Sequence, residues 1–320
     1  MQLAKELIKS ELEHFNICLE DTLKSDIALM QTISRHLLKG KGKQMRPMFA
    51  LLCARLGGEL NDRSYRAALV VELLHTASLI HDDIIDESME RRGLSSINAL
   101  WRNKTAVLAG DILSLNALLL TLKNTDHEIL GIYTNAIGQI VEGEILQLRK
   151  SRRINLDENI YYEIIKAKTS AFFSAACAAG ASSTFNDNDQ IEKMHLFGEK
   201  IGIAFQIKDD LFEYSHDNIG KPTNNDILDK KLTLPLIYTL NNCDNSLKRK
   251  LKSIIKSKNK SNDNINYIVE KVIETGGIQY AEDKMSNFRD DALKILYQFP
   301  DSNTRSALED LVRYTTDRKY

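Results

Sequence analysis

Residues 72–86 read ELLHTASLIHDDIID. At helical spacing His75, Ser78, Asp82 and Asp86 fall on one face, three, four and four positions apart, while Leu73, Leu74, Leu79, Ile80, Ile84 and Ile85 cover the others. A polar stripe therefore runs down an otherwise apolar helix. Asp82, Asp83 and Asp86 would repel one another by roughly 4 kcal/mol per close pair at an effective dielectric near 20, so a buried cluster of this kind needs cations. Hard carboxylate oxygens with no cysteine beside them favour Mg²⁺, which keeps several waters and binds substrate phosphates at the same time.

Outward from this helix the chain repeats the same chemistry. In EKIGIAFQIKDDLFEY, residues 199–214, Gly202, Gln206, Asp209, Asp210 and Glu213 fall on one helical face within apolar flanks. Either acidic cluster alone reads as an ordinary solvated helix face. Two of them, each on a helix whose other residues belong in a core, point to a site. Basic segments accompany both. KGKGKQMRP, residues 39–47, leads into an apolar helix over 48–56, with Pro47 suited to its first turn. Lys43 and Arg46 are thereby held at a helix start, where backbone N–H groups also favour an anion. ESMERRGL, residues 87–94, puts Arg91 and Arg92 on a loop just past the first carboxylates, and guanidinium forks bind phosphate bidentately. Pairing of these arginines with Asp86, Glu87 or Glu90 is the alternative.

The remaining segments are read as support. Residues 1–38 make two amphipathic helices with a break near 21–24, and further helices cover 98–122, 127–149 and 157–181. The helix over 127–149 aligns Gly143, Glu144 and Gln147, and SRRINLD after it is a polar connection. Lys168 and Thr169 sit amid SAFFSAACAAGASS, small residues that let neighbouring helices approach; a lysine in such a wall suggests an anion partner, with snorkelling to solvent as the alternative. GKPTNNDILDKKLTLPL places Lys221, Lys230 and Lys231 on a basic loop of the kind a phosphate-covering lid needs. The run KRKLKSIIKSKNK, residues 248–260, lacks interleaved aromatics and reads as a charged helix rather than a nucleic-acid contact.

Bulk properties agree with an all-α globular protein of one domain spanning 1–320. The chain has 320 residues, 43% of them hydrophobic, and only four prolines, so a large core is available and helices are seldom interrupted. A formal net charge of −1 gives no global field toward nucleic acid or an anionic membrane. Cys18, Cys53, Cys177 and Cys243 make no C-x-x-C pair, which argues against zinc or a disulfide framework and suits a reducing cytoplasm. The N-terminus has no apolar signal core, and no uncharged apolar run of eighteen residues occurs, so neither export nor membrane spanning is expected.

Taken together and in order, these motifs resemble the trans-isoprenyl diphosphate synthases, the polyprenyl synthetase family, over almost the whole chain. HDDIID with RRG is similar to the family's first aspartate-rich motif, FQIKDDLFEY to its second, and KGKQMRP to its glycine- and arginine-containing loop. The resemblance implies an all-α bundle around a deep cavity with the acidic motifs facing each other at its mouth. It also implies a reaction: an allylic diphosphate ionises with Mg²⁺ assistance, isopentenyl diphosphate attacks, and proton loss regenerates an allylic diphosphate. Residue by residue it implies metal binding by Asp82, Asp83, Asp86, Asp209 and Asp210. It assigns allylic diphosphate contact to Arg91 and further leaving-group contacts to Lys168, Thr169, Gln206, Lys221 and Lys231. Isopentenyl diphosphate would bind at Lys43, Arg46, His75 and Arg92. The octaprenyl-type, medium- and long-chain synthases are the nearest match, homodimers are usual, and a long product implies peripheral membrane contact at release.

Three departures from the family pattern stand out: Gln44 where arginine is common, Glu213 for the last aspartate of the second motif, and Lys230 for a frequent glycine. Product length follows from position. Ala77 and Ser78 lie one helical turn from Asp82 and are small, so they should line a channel for the growing chain, giving a product beyond about twenty carbons, as in a quinone side chain. The alternative is that they only permit helix packing. Competing functions are a shorter-chain synthase making farnesyl or geranylgeranyl diphosphate and a class I terpene cyclase. An HD-type phosphohydrolase built on His81-Asp82 and a non-catalytic helical partner complete the set.

Overall fold

The computed structural model describes residues 1–151, 157–214, 232–257 and 261–318. Lys221, Lys230 and Lys231, most of the 151–157 connection and the end of the 248–260 run lie outside them. Among the described residues regular structure is helical apart from one short hairpin, as the all-α reading expects. The contacts group the chain into two compact units, one of residues 1–135, 172–195 and 297–311, the other of 136–171, 196–296 and 312–320.

In the first unit the N-terminal region forms three helices rather than the expected two: α1 (Gln2–Leu7), α2 (Lys9–Thr22) and α3 (Ala28–Lys39). Helix α4 (Met45–Gly57) starts at the basic loop with Pro47 in its first turn, where a missing N–H costs nothing. Helix α5 (Asp62–Ile85) is the core element, with Ala67 to Val71, Leu73, Leu74, Ala77 and Ile80 buried. Its start is fixed by a capping box: Asn61 accepts from Ser64 N–H at 3.2 Å and Ser64 Oγ accepts from Asn61 N–H at 3.3 Å. Two strands, β1 (Glu90–Arg91) and β2 (Leu94–Ser95), then lead into α6 (Ile97–Lys123). One face of α6 packs on α5 through Ala106, Ala109, Gly110, Leu113 and Ala117. The other exposes Leu108, Leu115, Leu119 and Leu122; the helix is long and apolar enough to cross a membrane by length and composition, although Asp111 interrupts its apolar run.

The small-residue run becomes α9, Ala171–Ser182. A Cβ on Gly180 would lie 2.1 Å from the Ala50 carbonyl oxygen, so α4 and α9 touch backbone to backbone. This fulfils the expectation that small residues bring helices close.

In the second unit, the helix expected over 157–181 is interrupted before it reaches α9. Helix α8 (Glu158–Ile165) passes into a π turn over Lys166–Ser170 that carries Lys168 and Thr169. Such bulges recur at functional sites because they re-aim side chains. Parts of α7 (His127–Ser151) and α10 (Asn188–Phe212) flank this turn: a Cβ on Gly143 would meet Ala167 Cβ at 2.7 Å, and one on Gly202 would meet Ser170 Cα at 2.4 Å. Helices α11 (Leu234–Asn242), α12 (Asn245–Lys256), α13 (Asn262–Glu274) and α14 (Gly277–Leu296) complete an apolar core around Leu234, Ile237, Ile268 and Val272. Helix α15 (Asn303–Asp317) ends the regular structure.

Candidate active site

Adjacent residues on a helix point about 100° apart, and this separates the first pair of aspartates. Asp82 is partly exposed and Asp86 exposed, four positions apart on one face. Asp83 is only 3% exposed, and its Oδ1 accepts from Arg91 Nε at 2.8 Å and Nη2 at 2.7 Å. Asp83 is thus buried and paired with Arg91, whereas Asp82 and Asp86 reach solvent.

The loop carrying the two arginines is closed as a short hairpin. Glu90 pairs with Ser95 and Arg91 with Leu94, leaving Arg92 at φ 54° and Gly93 at φ 74° as a two-residue left-handed turn. Two-residue strands are too short to show an alternating pattern. Arg92 in this conformation is strained by about 1–2 kcal/mol. Its Nη1 donates to the Gly40 carbonyl at 3.1 Å, and a Cβ on Gly42 would lie 2.6 Å from its guanidinium carbon. Arg92 thus packs its guanidinium against the basic loop at Gly42, where a larger side chain would displace it. Arg92→Gly should melt near the parent, because loss of one exposed hydrogen bond and relief of the turn are each about 1 kcal/mol. If Arg92 contacts isopentenyl diphosphate, as the resemblance implies, the variant's KM for that substrate should rise about tenfold or more through loss of a charge-assisted contact; an unchanged KM would remove Arg92 from the site.

Beneath that loop Arg46 Nη1 donates to His75 Nε2 at 2.9 Å. An arginine only donates, so Nε2 is the acceptor and the imidazole carries its proton on Nδ1. Burial, with the charges of Arg46, Arg92 and Arg91, holds His75 well below its usual range, so it is neutral at physiological pH. Phe172 and Phe173 brace the pair, one edge-on to His75 at 5.8 Å and the other under the Arg46 guanidinium at 4.6 Å. Glu72, 9% exposed, lies in the field of Arg46, Arg92 and Lys41, and burial pushes its carboxyl up. Lys43 is exposed on the same loop. Gln44 turns instead to α2, donating to Asn16 Oδ1 at 3.0 Å.

In the second unit Lys168 forms an ion pair with Glu144, the residue next to the close-packed Gly143. The anion partner expected for this lysine is thus present within the chain. Thr169 Oγ1 donates to Gln206 Oε1 at 2.6 Å, and Gln206 Nε2 donates to Asp210 Oδ1 at 3.0 Å. Asp210 also accepts from Tyr161 Oη at 2.7 Å and from the Leu234 N–H at 3.3 Å, and it is 4% exposed. Burial and this carboxylate push the Tyr161 hydroxyl well above its usual range. In this structure the Asp210 carboxylate holds Tyr161, Gln206 and the start of α11. Asp209 faces outward, with 39% of its side chain exposed.

Among the described residues no three His, Cys, Asp or Glu side chains close into a metal cage. Carboxylates that reach solvent fit Mg²⁺ nonetheless, since it binds through one or two of them plus water and substrate phosphate. Asp82 with Asp86, and separately Asp209, present such donors. Sequence reasoning missed Glu72, Tyr161, Phe172, Phe173 and the partner role of Glu144. Only Glu144 left a usable signal, as the acid beside Gly143 on one helical stripe.

An all-α chain with outward carboxylates on two helices, and an arginine–imidazole seat for a second anion, defines an enzyme class acting on diphosphates with divalent metal. The chain belongs to the polyprenyl synthetase family, whose model matches residues 27–272. It is a trans-polyprenyl diphosphate synthase, a prenyltransferase using isopentenyl diphosphate and an allylic diphosphate. The all-trans-nonaprenyl-diphosphate synthase (geranyl-diphosphate specific) of Rhodobacter capsulatus is 34% identical over 94% of this chain and 92% of its own. The geranylgeranyl diphosphate synthase of Saccharolobus solfataricus is 32% identical over 96% of both. A crystal structure of polyprenyl synthase from Caulobacter crescentus, complexed with calcium and isoprenyl diphosphate, superposes with a TM-score of 0.93 at 32% identity, covering 100% of this chain and 98% of that one. These relatives differ in product length.

Proposed function

We propose that this synthase extends farnesyl or geranylgeranyl diphosphate with isopentenyl diphosphate, in the presence of Mg²⁺, to an all-trans product beyond about twenty carbons, a length argued from helical position. One observation carries the two-substrate reading. On α5 the neutral His75, with Arg46 and Arg92, forms a cationic seat needing no metal, while Asp82 and Asp86 lie two turns further on and need one. A cyclase with a single diphosphate has no use for the first seat. An HD hydrolase would need His81 as a ligand, yet its Nε2 lies 3.3 Å from the Val107 carbonyl and packs against Gly110.

In this reading Lys43, Arg46 and Arg92 take the diphosphate of isopentenyl diphosphate, and His75 contributes a hydrogen bond without charge. Asp82 with Asp86, and separately Asp209, would hold Mg²⁺, and Arg91, oriented by Asp83, would contact the allylic diphosphate. Lys168 with Thr169 and Gln206 supports the leaving group, and Lys221 and Lys231 are assigned to the same role from sequence. Bound Mg²⁺ would stabilise charge on the diphosphate as it departs. The preorganised arginines add to that effect because their positions are set before substrate arrives. A second copy of the chain is proposed to cover the α6 face of Leu108, Leu115, Leu119 and Leu122, which repeats at helical spacing and is apolar apart from the exposed Asp111.

The test is incubation of the purified protein with farnesyl diphosphate, labelled isopentenyl diphosphate and Mg²⁺, resolving products by chain length beside an EDTA control. A metal-dependent ladder ending beyond about twenty carbons is expected. A cyclic hydrocarbon or free phosphate without elongation would overturn the reading. The same preparation should sediment at twice 36.3 kDa.

A further inference from the structure

The last described residue, Arg318, follows α15 directly and reaches back 109 positions to Asp209, with Nη2 donating to Oδ1. Its Nε donates to the Thr315 carbonyl at 3.2 Å, which fixes the plane of the guanidinium. That plane lies over the Phe205 ring at 4.0 Å and beside Phe212 at 5.3 Å. Phe205, Asp209 and Phe212 stand four and three positions apart on α10, so one helix face supplies both the aromatic seat and the carboxylate. The arginine is 10% exposed, against 39% for the aspartate side chain. This is a built seat for a cation on the outward aspartate of the second motif.

We propose that Arg318 is an internal counter-ion for Asp209, occupying its carboxylate until a metal–diphosphate complex displaces it. The proposal rests on the reading that Asp209 takes metal. The guanidinium on Oδ1 leaves lone pairs on Oδ2, but a divalent cation bound there would sit within a few ångströms of a largely buried positive charge, and the two repel. A lone divalent ion must compete with the seated arginine for one carboxylate. A metal that arrives with a diphosphate brings its own negative charge, and the freed guanidinium then faces anionic oxygen. Arg318 therefore opposes metal binding to the substrate-free enzyme and makes it depend on the diphosphate. It acts through Asp209 as a positioning residue.

The test uses the full chain and measures free Mn²⁺ by electron paramagnetic resonance, without and with inorganic pyrophosphate. In the substrate-free protein Arg318→Gln should tighten Mn²⁺ binding about 5- to 10-fold, within the usual range of coupling between two ligands of one site. Arg318→Lys, which keeps the charge, should stay near the parent. Adding Asp209→Asn to Arg318→Gln should abolish the gain. Melting curves run alongside confirm that each variant is folded. Unchanged or weaker Mn²⁺ binding in folded Arg318→Gln would overturn the proposal. If Asp209→Asn alone leaves Mn²⁺ uptake with pyrophosphate unaltered, the metal reading of Asp209 fails instead, which separates the two.

Discussion

Asp82→Asn and Asp209→Asn are expected to lower kcat by about a thousandfold or more, since a bound metal contributes several kcal/mol to a charged transition state and each 1.4 kcal/mol is tenfold in rate. Asp82→Asn should melt close to the parent, because a partly exposed aspartate changed to its amide is usually worth within about 0.5 kcal/mol. Asp209→Asn should melt lower by a few degrees, because it also weakens the ion pair that holds the largely buried Arg318. Asp83→Asn and Asp210→Asn should lose more stability and less activity. Asp83 is buried against Arg91, and Asp210 is buried against Tyr161, Gln206 and the Leu234 N–H. Weakening either network costs about 1–3 kcal/mol, read as a melting point lower by several degrees. Activity would fall less, through misplaced Arg91 or Gln206. Parallel melts and single-turnover rates on the four variants decide this. If Asp83→Asn matched Asp82→Asn in rate and in stability, the division of each pair into an outward ligand and an inward anchor would be wrong.

That division shows where the sequence stops being legible. Helix α5 was readable because its apolar density, the Asn61 cap and the spacing of His75, Ser78, Asp82 and Asp86 all agree. The two DD pairs were readable as a chemistry. Which member of each pair faces outward was not, because helical phase near a terminus depends on what packs there: Arg91 reaches Asp83 from a hairpin, and Tyr161 and Leu234 reach Asp210 from other helices. The π turn at Lys166–Ser170 has no composition of its own, and Gly143 and Gly202 pack closely against it from neighbouring helices. Arg318 illustrates the extreme. A lone arginine after the last helix carries no motif, and its relation to Asp209 exists only in the fold.

The same distinction between phase and packing governs product length. Ala77 and Ser78 were expected to line one channel, yet the fold treats them differently. Ala77 is 1% exposed and packed within the core, whereas Ser78 is half-buried one turn before Asp82 on the same face. The Ser78 hydroxyl donates to the His75 carbonyl at 2.9 Å, so its hydrogen-bonding need is met by the helix itself. A growing hydrocarbon beside it would meet a small side chain with no unmet polar demand. Ser78→Phe should therefore shorten the main product to about fifteen to twenty carbons, the ring covering one turn, or about 5.4 Å, of helix surface below the metal stripe. Its melting point should change little, because the ring enters accessible space. Ala77→Phe reaches that path only by displacing core neighbours, so it should lose about 1–3 kcal/mol of stability while also shortening the product. Chain-length analysis with matched melts separates the two positions. An unaltered product distribution in folded Ser78→Phe would place the channel on another face of α5, and the small side chains at 77 and 78 would then serve helix packing alone.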